Sequence, residues 1–212
     1  PGEPLPPGGI YNSNRFMIRS LLQTLGCEAI DLGNVPDTLE ATVSAFEKAA
    51  ESADVILTTG GMSVGEEDHV KNAVERLGSI ALWRVKLKPG KPLAFGEVKG
   101  VPFVGCPGNP VAGFVVFLMM ARPFLLRRMG LTDIDIEPLS VRADFDWLQP
   151  GDRQEFVRVR RNKKGGVDIY PTQNSQVLSS CAWADGLVDI PEGTTISSGD
   201  SVDYYPFCQF FA

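Results

Sequence analysis

Apolar side chains recur at helical spacing in the first part of the chain and alternate with polar ones in the last part. The helical segments, each bounded by a capping residue or a glycine, are 14–26, 38–50 and 69–78. Short apolar runs at 28–32 and 54–59 predict strands. Because these helices and strands alternate, the region is expected to form a parallel α/β sheet.

The middle of the chain continues this domain. Strands are predicted between residues 80 and 104, interrupted by turns at 88–92 and 99–100. The tight loop 105–110 then begins an apolar helix from Val111 to about Met129, in which Pro123 predicts a kink or a break.

After residue 131 the pattern becomes that of a β protein. Short alternating segments separated by Gly, Pro, Asn and Asp lie at 138–147, 153–161, 166–171, 176–181, 186–190 and 201–209. This spacing is typical of a small all-β sandwich or barrel. The charge changes at the same point, because the net charge of −6 comes entirely from the acidic last part. We therefore expect an α/β domain at 1–132 and a β domain at 133–212.

Composition excludes several classes of protein. A 43% hydrophobic content is that of a folded chain, and an acidic balance argues against nucleic-acid binding. One histidine and four scattered cysteines indicate neither a transition-metal cluster nor a disulfide scaffold. The longest apolar run is too short to cross a membrane. We expect a cytoplasmic protein that binds neither membrane nor nucleic acid.

The segment 58–65 is the strongest candidate for a ligand site, since it joins a buried strand to a helix through glycines. Glycine backbone can approach a ligand closely, and N–H groups at a helix start favour anions. This predicts phosphate binding by Gly60, Gly61, Ser63 and Gly65. The alternative is an ordinary glycine-rich connection. The segment also lacks the lysine of a nucleotide-triphosphate loop, so it is not a loop of that kind.

Two carboxylates follow the predicted strands of this sheet. Asp37 and Asp68 lie at its same edge and could together hold Mg²⁺, which prefers oxygen ligands and bridges to phosphates. Taken alone, each is better explained as a simple helix N-cap.

Four cations lie within eight residues, at Arg84, Lys86, Lys88 and Lys91. The first three alternate, so one strand would present them on one face, where an anion would relieve their repulsion. The alternative is a solvated edge strand protected by lysines.

The loop at Pro107, Gly108 and Asn109 is made rigid by its prolines and either lines a pocket or only sets the angle of the next helix. Polar residues of the β region, including Arg153 and Ser175, are by themselves explained equally well as ordinary surface.

Several motifs together resemble one family. The strings are TTGGMSVGEEDHVK at 58–71, WRVKLKPGKPLAFG at 83–96 and GCPGNPVAG at 105–113, with IYNSNR at 10–15 and RQEFVRV and PTQNSQVLSS in the β region. In this order and spacing they are similar to molybdopterin molybdenumtransferases, the MoeA family, to which gephyrin's enzymatic domain is related. The resemblance covers essentially the whole chain.

The resemblance implies a three-layer molybdopterin-binding α/β domain of the MogA/MoaB-like type, followed by a β-barrel-like domain. It implies Mg²⁺-dependent insertion of molybdenum from molybdate into adenylylated molybdopterin, with release of AMP. It also implies a homodimer in the full-length protein and an adenylyltransferase acting upstream.

The same resemblance assigns roles to individual residues. Asp37 and Asp68 match acidic residues of the active site, and Lys88 matches an active-site lysine. Arg84 stands where some relatives carry lysine. Ligand contacts are implied for Gly60, Gly61, Ser63, Gly65, Arg153 and Ser175, and we add Lys91, Pro107, Gly108 and Asn109 as predicted ligand-binding residues.

Family members carry two further domains before this region, so the chain alone is expected to bind weakly and to turn over poorly. Three alternatives stay open. They are a molybdopterin adenylyltransferase, which shares the α/β domain, a non-catalytic scaffold, and a ligand-binding module without chemistry.

Overall fold

The computed structural model describes residues 4–5, 8–61 and 68–211. Its helices α1 to α6 span Asn14–Thr24, Leu39–Ala50, His69–Leu77, Pro110–Val116, Arg122–Arg128 and Ser179–Trp183. Its strands β1 to β10 span Ile56–Thr59, Gly78–Arg84, Leu87–Lys88, Pro92–Val98, Val101–Cys106, Leu139–Ala143, Gln154–Arg161, Gly166–Ile169, Gly186–Ile190 and Ser201–Pro206. A π-helical turn, Phe117–Ala121, joins α4 to α5, and a 3₁₀ helix, Phe207–Phe211, follows β10.

The described strands of the α/β domain form a mixed sheet in the order β1-β5-β4-β2. Only β1 and β5 run parallel, so the prediction of a parallel sheet is wrong for β2 and β4. The expected strand at 28–32 is also not formed within the described residues. Its apolar side chains Ile30 and Leu32 remain 54% and 37% exposed, since no neighbouring strand there covers them.

Helices cover both faces of this sheet, which makes the three layers. Alternation along β5 explains the layering, because successive side chains point to opposite faces. Phe103 packs with the cluster of α2 and α3, whereas Val104 and Cys106 pack with that of α1, α4 and α5. The predicted three-layer α/β architecture is confirmed.

Helices α4 and α5 with the intervening turn form a continuous apolar segment from Pro110 to Arg128. It is long and apolar enough to cross a membrane, but 67% of its most apolar stretch is buried inside the fold, as expected of a core helix. Pro123 lacks the N–H of a regular helical bond, and the π-helical turn just before it absorbs the misfit. The helix is therefore locally rewound rather than broken.

The described strands of the second half close into a small barrel, because β7 pairs with both β8 and β9. Its interior holds apolar residues such as Val157, Val188 and Tyr204. The predicted β barrel is confirmed, although the segment 176–181 was expected as a strand and instead leads into α6. The predicted boundary between residues 132 and 133 falls between α5 and β6 and stays a prediction.

Strand β3 joins the two halves. Leu87 and Lys88 pair in parallel with Gln154 and Glu155 of β7, so this short strand extends the barrel sheet. The core is also shared, because Phe156 of β7 belongs to the same buried cluster as the residues of α4. The β domain is thus fixed against the loops at the end of the α/β sheet.

Candidate functional site

A cleft of about 1100 Å³ runs along β1 and reaches the glycine segment at its carboxyl end. Its lining includes Asp37, Gly60, Gly61 and His69. Ligands of open α/β sheets bind at this end of the strands. The predicted residues Ser63 and Gly65 lie outside the described residues.

Two loops meet at the end of β1 and β5 through their backbones. Gly60 donates its N–H to the carbonyl of Cys106 at 3.1 Å and has a φ of +85°, which favours glycine. A Cβ atom added to Gly108 would lie 3.3 Å from Cα of Gly60. Glycine at 60 therefore permits the positive φ, glycine at 108 permits the close approach, and the predicted loop residues are neighbours.

The β domain reaches the same place through Ser175. The side-chain amide of Asn109 donates to Oγ of Ser175 at 3.0 Å, and the N–H of Val111 donates to the Ser175 carbonyl, also at 3.0 Å. Asn14 was not among the predicted site residues. Its amide donates to the Gly108 carbonyl at 2.7 Å, and its Oδ1 is buried without a described partner. Three segments, those of Asn14, Gly60 and Ser175, thus converge on the loop 107–110, in which Pro107 is buried.

Asp68 is the N-cap of α3, because its Oδ1 accepts from the N–H of Lys71 at 3.0 Å. The residue is only 7% exposed, and its Oδ2 is buried with no hydrogen-bond partner in the described residues. Burial raises the pKa of this carboxyl above its ordinary value. Both earlier interpretations of Asp68 are therefore compatible, since one oxygen caps the helix and the other remains available.

Asp37 has a different environment. Thr38, not Asp37, is the N-cap of α2, since its Oγ1 accepts from the N–H of Ala41 at 3.2 Å. Asp37 is exposed on the wall of the cleft. In the part of the chain that the structure describes, no group of three or more His, Cys, Asp or Glu side chains could hold a metal ion.

The basic segment does not present one cationic face. Arg84 ends β2 in one sheet, whereas Lys88 lies on β3 in the other, because the chain changes sheets between them. Lys88 pairs with Glu155 at 3.0 Å, and Lys86 pairs with Glu192 at 3.2 Å. The carboxylates of the β domain, rather than a shared anion, relieve the repulsion on which the prediction rested.

Arg153 and Lys91 also lie near this junction of the two domains. Nη1 of Arg153 donates to the Leu87 carbonyl at 3.5 Å, and the carbonyl of the exposed Lys91 accepts from the N–H of Val85 at 3.2 Å. Lys88 and Glu155 line a second cleft of about 430 Å³ with residues 146–151. Its lining does not include the glycine segment, so the structure separates the predicted residues into two groups.

Arg158 lies in the sequence beside Arg160 and Arg161, but it is fully buried. Its guanidinium donates to the carbonyls of Thr172 and Asn174 and to Oγ of Ser180 at 3.2–3.4 Å. The buried cation therefore holds the loop that carries Ser175. Both faces of β7 are buried here, which alternation of Arg158 with Val157 and Val159 in the sequence did not indicate.

Comparison with known proteins agrees with these features. Residues 2–127 match a family described as a probable molybdopterin binding domain, and residues 140–207 match the MoeA C-terminal region, domain IV. The chain belongs to the MoeA family of molybdopterin molybdenumtransferases. The resemblance inferred from the motifs is confirmed.

Individual relatives of the MoeA family match almost the whole chain. The molybdopterin molybdenumtransferase of Haemophilus influenzae is 34% identical over 97% of this chain and 52% of that protein. Molybdopterin molybdenumtransferase 2 of Mycobacterium tuberculosis is 33% identical over 91% of this chain and 49% of that protein. A crystal structure of a molybdopterin biosynthesis MoeA protein from Pyrococcus horikosii has a TM-score of 0.82 at 29% identity, covering 98% of this chain and 51% of that one. The chain thus spans about half the length of these relatives.

Proposed function

We propose that this chain is the ligand-binding half of a molybdenumtransferase that inserts molybdenum from molybdate into adenylylated molybdopterin and releases AMP. The observation that carries the proposal is the meeting of Gly60 with Gly108, next to the bonded pair Asn109 and Ser175. This arrangement leaves backbone and small polar groups, rather than bulky side chains, at the end of the sheet where ligands bind.

The glycine segment receives the phosphates in this proposal. Gly60 and Gly61 carry no side chain, so a phosphate oxygen can approach their backbone closely. The hydroxyl of Ser175 keeps its proton free for the ligand, because it accepts from Asn109. These groups are kept in place because the buried Pro107 fixes the loop 107–110 and the buried Arg158 holds the loop that carries Ser175.

The proposal includes Mg²⁺ at Asp68. A buried anionic oxygen without a partner suits a hard cation, and the free Oδ2 of Asp68 is such a group. Asp37, exposed on the wall of the cleft that is also lined by His69 next to Asp68, is the second proposed ligand. Mg²⁺ would supply positive charge to the oxygens of the phosphoanhydride as AMP departs.

Cations at the junction of the domains would gather the anionic substrates. Arg84 ends β2 and Lys88 ends β3, whereas Lys91 and Arg153 lie just before β4 and β7. Their charges would attract molybdate and the phosphates of the pterin. We further propose a homodimer of the full-length protein, an adenylyltransferase as supplier of the substrate, and a cytoplasmic location.

The test is calorimetric titration of the chain with adenylylated molybdopterin, with and without MgCl₂. Asp68→Asn is compared with Asp133→Asn, which makes the same change of charge in an exposed loop. We expect saturable binding that weakens without Mg²⁺ and in the Asp68 variant, but not in the control. Binding that is equally tight in every case would contradict the metal site, and no binding at all would contradict the proposed function.

A second assay separates this activity from that of the related adenylyltransferase. The chain is incubated either with molybdopterin and ATP or with adenylylated molybdopterin and molybdate, and AMP and adenylylated product are quantified. Release of AMP only in the second mixture supports the transferase. Formation of adenylylated product in the first mixture would overturn it.

A further inference from the structure

The pair formed by Lys88 and Glu155 is unusual in its burial. The ammonium of Lys88 donates to Oε1 of Glu155 at 3.1 Å, and its Nζ lies 3.0 Å from Oε2 in an ion pair. The side chain of Glu155 is only 5% exposed, whereas that of Lys88 is 46% exposed. A buried carboxylate costs folding free energy unless it is paired. Loss of the ion pair would therefore leave Glu155 with a larger penalty than the half-exposed Lys88.

The backbone brings the two side chains into register. Lys88 lies directly opposite Glu155 in the parallel pairing of β3 with β7, and the N–H of Gln154 donates to the Lys86 carbonyl at 3.2 Å. Leu87 between the lysines is buried in the shared core. Both ends of the pair are therefore attached to fixed strands from different domains.

The Glu155 carboxylate is also closely surrounded. A Cβ atom at Gly151 would collide with Oε1 of Glu155, so a side chain there would require the carboxylate to move. In the described residues no other side chain donates a hydrogen bond to Glu155. Among the described side chains the carboxylate thus has one partner, Lys88, whose ammonium carries three donors and also lines the cleft of about 430 Å³, so it keeps N–H for a ligand.

We propose that Glu155 is a positioning residue, which fixes the ammonium of Lys88 so that its remaining N–H meets an anionic oxygen of the substrate. This inference rests on the proposed function for the identity of the substrate. A free lysine loses side-chain entropy when it binds an anion, and a lysine already held in place loses less. Glu155 would therefore increase affinity without touching the substrate.

The first arm of the test requires no ligand. Lysine labelled with ¹³C at Cε reports on each ammonium group by NMR, and Lys88→Arg and Lys86→Arg assign the two signals. We expect Glu155→Gln to shift the Lys88 signal and to leave Lys86 unchanged. Glu192→Gln, which removes the exposed partner of Lys86, should do the opposite. An unchanged Lys88 signal in Glu155→Gln would overturn the inference.

The second arm measures affinity for adenylylated molybdopterin. We expect Glu155→Gln to weaken binding roughly five- to tenfold and Glu192→Gln to leave it unchanged. In a Lys88→Met background, Glu155→Gln should cause no further loss, because the residue acts through Lys88. The double variant contains no unpaired buried charge, so it should fold even where Lys88→Met alone does not.

The arms keep the two proposals distinguishable. Additive losses in the double variant would show that Glu155 acts independently of Lys88 and would overturn the inference. If the wild-type chain binds no ligand, the proposed function fails, while the spectra still decide whether Glu155 holds Lys88.

Discussion

Replacement of Asp68 tests the link between fold and site most directly, because its two oxygens have different roles. Asp68→Ala removes the cap of α3, which costs about 1 kcal/mol of the free energy of unfolding. Asp68→Asn keeps an oxygen for the N–H of Lys71, since Asn caps helices as well as Asp does. It also removes a charge that is buried without a partner for Oδ2. We therefore expect Asp68→Asn to be at least as stable as wild type at pH 7.

The pH dependence of the folding stability tests the same buried charge in a second way. Burial raises the pKa of Asp68, so the folded state binds a proton more tightly than the unfolded state does. The contribution of Asp68 to stability is therefore greatest below the unfolded pKa and decreases as the pH rises through the folded pKa. Asp68→Asn has no such ionisation, so its advantage over wild type should grow from pH 4 to pH 7.

The assay is urea unfolding followed by far-ultraviolet circular dichroism at several pH values. Thr38→Ala is the matched control, because it removes the side-chain cap of α2. It should lose about 1 kcal/mol at every pH, whereas the loss in Asp68→Ala should be smaller at pH 7 than at pH 4, because that variant also removes the buried charge. If Asp68→Asn is as unstable as Asp68→Ala, or if its advantage does not change with pH, then Oδ2 is not an unpartnered buried charge and the reasoning fails.

Three further predictions concern other parts of the fold. Arg158→Met should lower the free energy of unfolding by about 2–4 kcal/mol, because it leaves buried carbonyls without their donor, and urea midpoints check this. Gly108→Ala should weaken binding of adenylylated molybdopterin about tenfold by pushing the loop away from Gly60, with little loss of stability; calorimetry giving an unchanged affinity would contradict it. The pKa of Asp144 is lowered to about 2, chiefly by its hydrogen bond with Arg142. Its stabilising contribution is present above pH 3.8 and lost towards pH 2, so Asp144→Asn should flatten the acid limb of a stability–pH profile.

The sequence alone determined the features that depend on local periodicity. Helices α1, α2 and α3 occur where apolar spacing and end signals predicted them, and 186–190 coincides with β9. These elements follow from side chains that are close in the chain, so a single sequence contains the information. The family likewise depends on strings that can be read directly, such as 58–71 and 105–113.

The tertiary structure alone decided the features that need a partner distant in the chain. The run 28–32 has strand propensity but no described neighbour, and Lys88 joins the barrel sheet because Glu155 lies opposite it in β7. Arg158 resembles its exposed neighbours in sequence and is buried because a loop folds around it. Periodicity indicates which face of an element is apolar, but which element covers that face is set by packing and hydrogen bonding over long separations.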